Sequence, residues 1–155
     1  MHAGPSATRT GRDASSEDLV VMYLLDSNVL IEHMAGRFDL EGVLRNVGLE
    51  NCFVPTVVIY ELLHGSLRSR LPNELERTKI VVSGFRWIGF EADAAESAAK
   101  IRFELERIGL KIGPHDVMIA AIALSQKFTL VTHNVRELSR VQGLKIEDWQ
   151  AAAGP

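Results

Sequence analysis

A single cysteine, Cys52, stands among 155 residues. That scarcity excludes an intrachain disulfide and a thiolate metal cluster alike. Aromatic residues make up 6% of the chain, which argues against a base-stacking platform as its main binding device. No apolar run approaches the roughly 20 residues that cross a bilayer. The formal net charge is −3, so no global positive field draws nucleic acid. Any RNA or DNA contact must use a local basic patch or a bound cation. Gly-x-Gly-x-x-Gly after a strand and a Walker A loop are both missing. His33, His64, His115 and His133 are scattered, without His-x-x-x-His spacing, which argues against zinc.

What is present fits one globular domain. Hydrophobic residues reach 46% and charged residues 24%, ordinary for a folded body, and the length suits a single core. Residues 1–19 are rich in Ala, Gly, Ser, Thr and Arg and lack the apolar centre of a secretory signal. They are expected to be a disordered extension, with the folded domain over 20–149 and a flexible tail over 150–155. Cys52 lies in the apolar run Cys52-Phe53-Val54 and reads as a buried, inert thiol. A lone unpaired cysteine places the chain in a reducing, cytoplasmic compartment.

The run from Val20 to Leu25 is continuously apolar, the pattern of a strand buried on both faces of a parallel sheet. Ser27 and Asn28 are placed to cap a helix over 29–35. A helix is expected over 40–47, closed by Gly48, then a short strand over 52–54. Pro55-Thr56 opens a helix to Arg68 whose apolar stripe is read as Val57, Tyr60, Leu63 and Leu67. Further helices are expected over 74–82, 91–108, 114–126 and 134–138, with Pro114 at the first helical position. Strands are expected over 85–88, 128–131 and 144–146. Strands alternating with helices give a parallel sheet covered on both faces, which binds ligands beyond the carboxyl ends of its strands.

Four acids fall where a strand ends or a helix begins: Asp26, Glu61, Asp116 and Glu137. Each has a local explanation on its own. Asp26 can cap a helix, and Asp116 sits in a first turn favoured by the helix dipole. Asn134-Val135-Arg136-Glu137 has the form of a capping box. Glu61 is harder to dismiss, because Val, Ile, Tyr and Leu surround it and a buried carboxylate needs solvent, an Arg or a cation. Four such acids at one sheet edge repel each other unless a cation lies between them, the makings of a magnesium site for phosphodiester chemistry. A haloacid-dehalogenase phosphatase would carry a second Asp at position 28, which is Asn28. A receiver domain would need neighbouring acids and a late-strand Lys, and neither is present.

Four stretches, in order, resemble the motifs of PIN-domain ribonucleases: Leu24-Leu25-Asp26-Ser27-Asn28, Tyr60-Glu61-Leu62-Leu63-His64-Gly65, Gly113-Pro114-His115-Asp116 and Thr132-His133-Asn134-Val135-Arg136-Glu137. The closing Val141-Gln142-Gly143-Leu144-Lys145-Ile146-Glu147-Asp148-Trp149 is similar to the end of VapC toxins, the ribonuclease half of VapBC toxin–antitoxin modules. The resemblance covers about residues 22–149. It implies an α/β fold, a PIN-like three-layer α/β/α sandwich around a mainly parallel sheet of about five strands. It also implies that Asp26, Glu61 and Asp116 bind Mg2+ or Mn2+. Asn134 stands at the fourth catalytic position, where many relatives have Asp, and keeps a ligand oxygen without the charge. Ser27 replaces the usual Thr, and Ser27, Asn28, Thr132 and Glu137 would support the ligands.

The activity implied is metal-dependent hydrolysis of RNA, with transfer RNA the favoured class, and inhibition of translation. Arg68, Arg70, Arg136 and Arg140 flank the acidic motifs and are candidates for holding the RNA backbone. The resemblance further implies a homodimer, a cognate VapB-like antitoxin, and operator DNA reached only through that antitoxin. Two other classes stay open on the residues alone: a non-catalytic PIN-fold protein that binds RNA or a partner, and a DNA-directed nuclease.

Overall fold

The computed structural model describes residues 20–152; the expected disordered extension over 1–19 lies outside them. Among the described residues are five strands and eight α-helices. They are β1 (Tyr23–Leu25), α1 (Ser27–Met34), α2 (Leu40–Val47), β2 (Cys52–Pro55), α3 (Thr56–Arg68), α4 (Glu74–Ser83) and β3 (Arg86–Ile88), then α5 (Ala92–Arg107), α6 (Pro114–Gln126), β4 (Thr129–Val131), α7 (Val135–Leu138), β5 (Ile146–Glu147) and α8 (Trp149–Ala152). A 3-10 turn, Leu49–Asn51, leads into β2.

All strand pairings are parallel, in the order β3-β2-β1-β4-β5. Leu24 and Leu25 point to opposite faces of β1, and both are fully buried, as are Leu130 and Val131 on β4. Consecutive buried residues on a strand require cover on both sides of the sheet, hence three layers. Each such Leu contributes about 1.5–3 kcal/mol by leaving water. Small residues Ala94 and Ala98 on α5 and Ala120, Ala121 and Ala123 on α6 are buried, and these two helices form the most extensive helix–helix contact.

Several local expectations are corrected. β1 begins at Tyr23, not Val20; Val20 and Val21 are exposed, because the neighbouring strands pair only from Tyr23 onward. The cap of α1 is Asp26 itself, whose side chain accepts from the Ser27 N–H. The buried face of α3 is Val57, Val58, Ile59, Leu62 and Ser66. Tyr60 and Leu67, read as part of the apolar stripe, are exposed. Of the expected tail over 150–155, residues 150–152 belong to α8, whose first residue Trp149 packs edge-on to Tyr23 with ring centroids 5.1 Å apart, and 153–155 lie outside the described residues. Cys52 is buried as expected, and burial pushes its thiol up to about 11.

Candidate active site

The chain winds away from β1 in both directions, first through β2 to β3 and later through β4 to β5. The crevice at the carboxyl ends of β1 and β4 is therefore the switch point where doubly wound sheets bind ligands. Asp26 ends β1 and Thr132 follows β4. The Asp26 N–H donates to the Val131 carbonyl at 3.0 Å. One oxygen of the Asp26 carboxylate accepts from the Ser27 N–H at 2.8 Å, and the other from the Thr132 hydroxyl at 2.7 Å.

Thr132 is fully buried and uses its whole hydrogen-bonding capacity. Besides donating to Asp26, its oxygen accepts from the Asn134 N–H at 3.0 Å and the Asn28 amide at 3.4 Å. The Asn28 carbonyl oxygen in turn accepts from the His133 N–H at 3.2 Å. Asn28 thus orients Asp26 through Thr132 rather than directly.

Glu61 comes from α3, Asp116 from the first turn of α6, and Asn134 and Glu137 from the start of α7. The Asn134 side-chain amide donates to Asp116 Oδ2 at 3.4 Å and to Glu137 Oε2 at 3.3 Å. The capping-box reading of Asn134 and Glu137 is therefore corrected. Asn134 makes no side-chain cap bond; its side chain spans two carboxylates instead.

Charge couples these groups. Burial raises the Asp26 carboxyl, opposed by the bonds from Thr132 and Ser27. Burial likewise raises Glu61, helped by the negative charge of Asp26 and Asp116 and opposed by His115. Asp116 is pushed up to about 6, by burial first and then by Asp26 and Glu137, with His115 and Asn134 opposing. Carboxylates that raise one another share a common field. Glu61 Oε1 is buried and lacks any hydrogen-bond partner. Such an atom calls for a proton or a cation.

The donor set fits a hard divalent cation, since every candidate ligand atom is an oxygen. Among the described residues, however, no three His, Cys, Asp or Glu side chains converge closely enough to hold an ion as they stand.

The arginines divide. Arg68 lines a cavity of about 730 Å3 together with Glu61. Arg140 donates to the Lys111 carbonyl at 2.8 Å and borders a different cavity along α5. Arg70 and Arg136 are exposed. Sequence reading missed Tyr60 and His115 as site neighbours. Their adjacency in the chain to Glu61 and Asp116 was the available signal.

Comparison with known proteins agrees with this architecture. The PIN domain family profile matches residues 23–144. The chain is 33% identical to the tRNA(fMet)-specific endonuclease VapC of Salmonella typhimurium, covering 84% of this chain and 99% of that protein. It is 30% identical to ribonuclease VapC2 of Rickettsia felis, over 83% of this chain and 98% of that one. Among solved structures, DNA-bound VapBC from Salmonella typhimurium superposes with a TM-score of 0.78 at 30% identity, over 83% of this chain and 98% of the other. VapBC2 from Rickettsia felis, bound to a promoter DNA fragment, gives 0.75 at 28% identity, over 83% and 99%. With the motifs in order, the family profile over most of the domain and a VapC relative matched along nearly its whole length, this chain belongs to the PIN-domain family, in its VapC group.

Proposed function

We propose that this chain is the metal-dependent endoribonuclease of a VapBC toxin–antitoxin module and that it hydrolyses phosphodiester bonds in RNA. The single observation that carries the reading is the cost of the acid cluster. Asp26, Glu61 and Asp116 are each raised by burial, Asp26 and Asp116 add to Glu61, and Glu61 Oε1 is buried without a partner. A divalent cation removes that cost. Asp26, Glu61 and Asp116 would hold it, with Asn134 and Glu137 at its rim. Bound Mg2+ or Mn2+ supplies a Lewis acid for the phosphate and lowers the pKa of a coordinated water.

The chain's own residues fix the geometry. Thr132 and Ser27 hold both oxygens of Asp26 and so set its direction. Ser27 and Asn28, with Thr132, make the frame from which Asp26 projects. Asn134 bridges Asp116 and Glu137 through its side-chain amide and would keep both carboxylates facing the site. Arg68, which lines one depression with Glu61, would meet a backbone phosphate there.

Transfer RNA is the favoured substrate class, supported by the similarity to the tRNA(fMet)-specific endonuclease VapC of Salmonella typhimurium. A cognate VapB-like antitoxin and contact with promoter DNA are supported by the DNA-bound VapBC complexes among the structural neighbours; the homodimer, and DNA reached only through the antitoxin, rest on the family resemblance. Sequencing of cleaved RNA ends after brief induction tests activity and substrate together. Wild type should yield defined ends within transfer RNA, and Asp26→Ala should yield none. Unchanged ends in Asp26→Ala would overturn the assignment.

A further inference from the structure

We propose that Tyr60, with His115 beside it, forms a seat for one unpaired nucleobase next to the bond that is cut. The proposal rests on the nuclease reading above and adds a recognition element to it.

The observations are geometric. Tyr60 is 58% exposed although it neighbours Glu61 in the chain, and the core does not need it. Its ring meets His115 edge-on, at 5.6 Å between centroids and 87° between planes. It lies within 12° of parallel to the His64 ring, at 6.4 Å. Tyr60, His64 and Arg68 follow each other at helical spacing, so they form one stripe along α3. That stripe, with Glu61 and His115, lines the wide-open depression of about 730 Å3 beside Glu61. Three rings thus share one cavity with Glu61 and the Arg68 guanidinium.

Gly65 supplies a second observation. It lies inside α3, where glycine costs stability relative to alanine. A Cβ there would meet nothing within 4 Å, so internal packing does not require the glycine. It lines the same cavity, and its bare backbone leaves room for a ligand to approach. A flat, wet aromatic face with an adjoining guanidinium recognises single-stranded bases by stacking. Low overall aromatic content is no obstacle, because one seat needs only Tyr60 and its neighbours.

The test uses stem–loop RNAs of transfer-RNA anticodon type, each carrying fluorescent 2-aminopurine at one loop position, with full-length Asp116→Asn. One position should be quenched on binding. Tyr60→Leu should lose that quench and bind roughly 5- to 150-fold more weakly, and Tyr60→Phe should keep both. In the cleaving enzyme Tyr60→Leu should raise KM while sparing kcat. Gly65→Ala should melt at a higher temperature yet bind the RNA less well. Unchanged quench and KM in Tyr60→Leu overturn the base seat, even where wild type cuts the RNA. A Tyr60-dependent quench in a chain that never cleaves upholds the seat and overturns the nuclease reading instead.

Discussion

The Thr132 hydroxyl donates to the Asp26 carboxylate at 2.7 Å across a separation of 106 residues. This one bond ties the end of β1 to the end of β4 and aims the most buried acid of the site. Its energetic weight is larger than that of a surface bond, because both partners are shielded from water and Thr132 serves three neighbours at once.

Thr132→Val keeps the shape and removes the hydroxyl. It should cost about 1–3 kcal/mol in stability, read as a lower urea midpoint at unchanged slope. It should also weaken magnesium binding, because Asp26 loses its orienting donor. Thr132→Ser should retain most of both. Equal midpoints for the Val variant and wild type would show that the bond does not hold Asp26.

Asp116 makes a pH prediction. Its carboxyl lies at 3.8 when unperturbed and is raised to about 6 in the folded chain. Between those values the folded state binds more protons than the unfolded state, so stability falls as pH rises through the window. The contribution is fully favourable below about pH 4 and lost above about pH 6. As far as this group decides, metal-free protein should therefore melt at a lower temperature at pH 7 than at pH 4. Added Mg2+ should restore stability at pH 7 by mass action, about 2.7 kcal/mol at a hundred times its dissociation constant. Asp116→Asn should flatten the pH dependence and blunt the Mg2+ effect. A wild-type melting temperature indifferent to Mg2+ would count against the cation site.

Arg68 and Arg140 should separate cleanly. Arg68→Ala should reduce the slope of log affinity for single-stranded RNA against log salt by about 0.7, the loss of one phosphate contact. Arg140→Ala should leave that slope alone and cost stability of about 1 kcal/mol, since its guanidinium braces the Lys111 carbonyl. Binding titrations at several salt concentrations and a denaturation curve decide it.

Leu25→Ala tests the two-sided core. The residue is fully buried beside Asp26, and its truncation should cost about 2–5 kcal/mol. A loss under 1 kcal/mol by denaturation would mean the layer over that face is loosely packed.

Much of this architecture was readable because its signals are local and periodic. The apolar run ending at Leu25, Pro114 opening α6 and Gly48 closing α2 each act through their own backbone geometry. The misreadings have a common physical source. Val20 and Val21 look like strand, but a strand exists only where a neighbour pairs with it. Tyr60 looks apolar, yet the face of α3 that is buried was decided by the sheet and α4, not by its own spacing. Asn134 looks like a cap, whereas its amide bonds Glu137, three residues on, and Asp116, which only the fold brings near. Trp149 finds Tyr23 from the opposite end of the domain, which no local pattern reveals.

The sheet order carries a temporal consequence. A ribosome extrudes Asp26 and Glu61 early, but β4, which lies directly beside β1, emerges only after residue 128. A nascent chain halted before that point has no Thr132 to aim Asp26, and no Asn134 or Glu137 to complete the rim. On the proposed ribonuclease reading, assembly of the acid cluster is thereby deferred until β4 has left the ribosome.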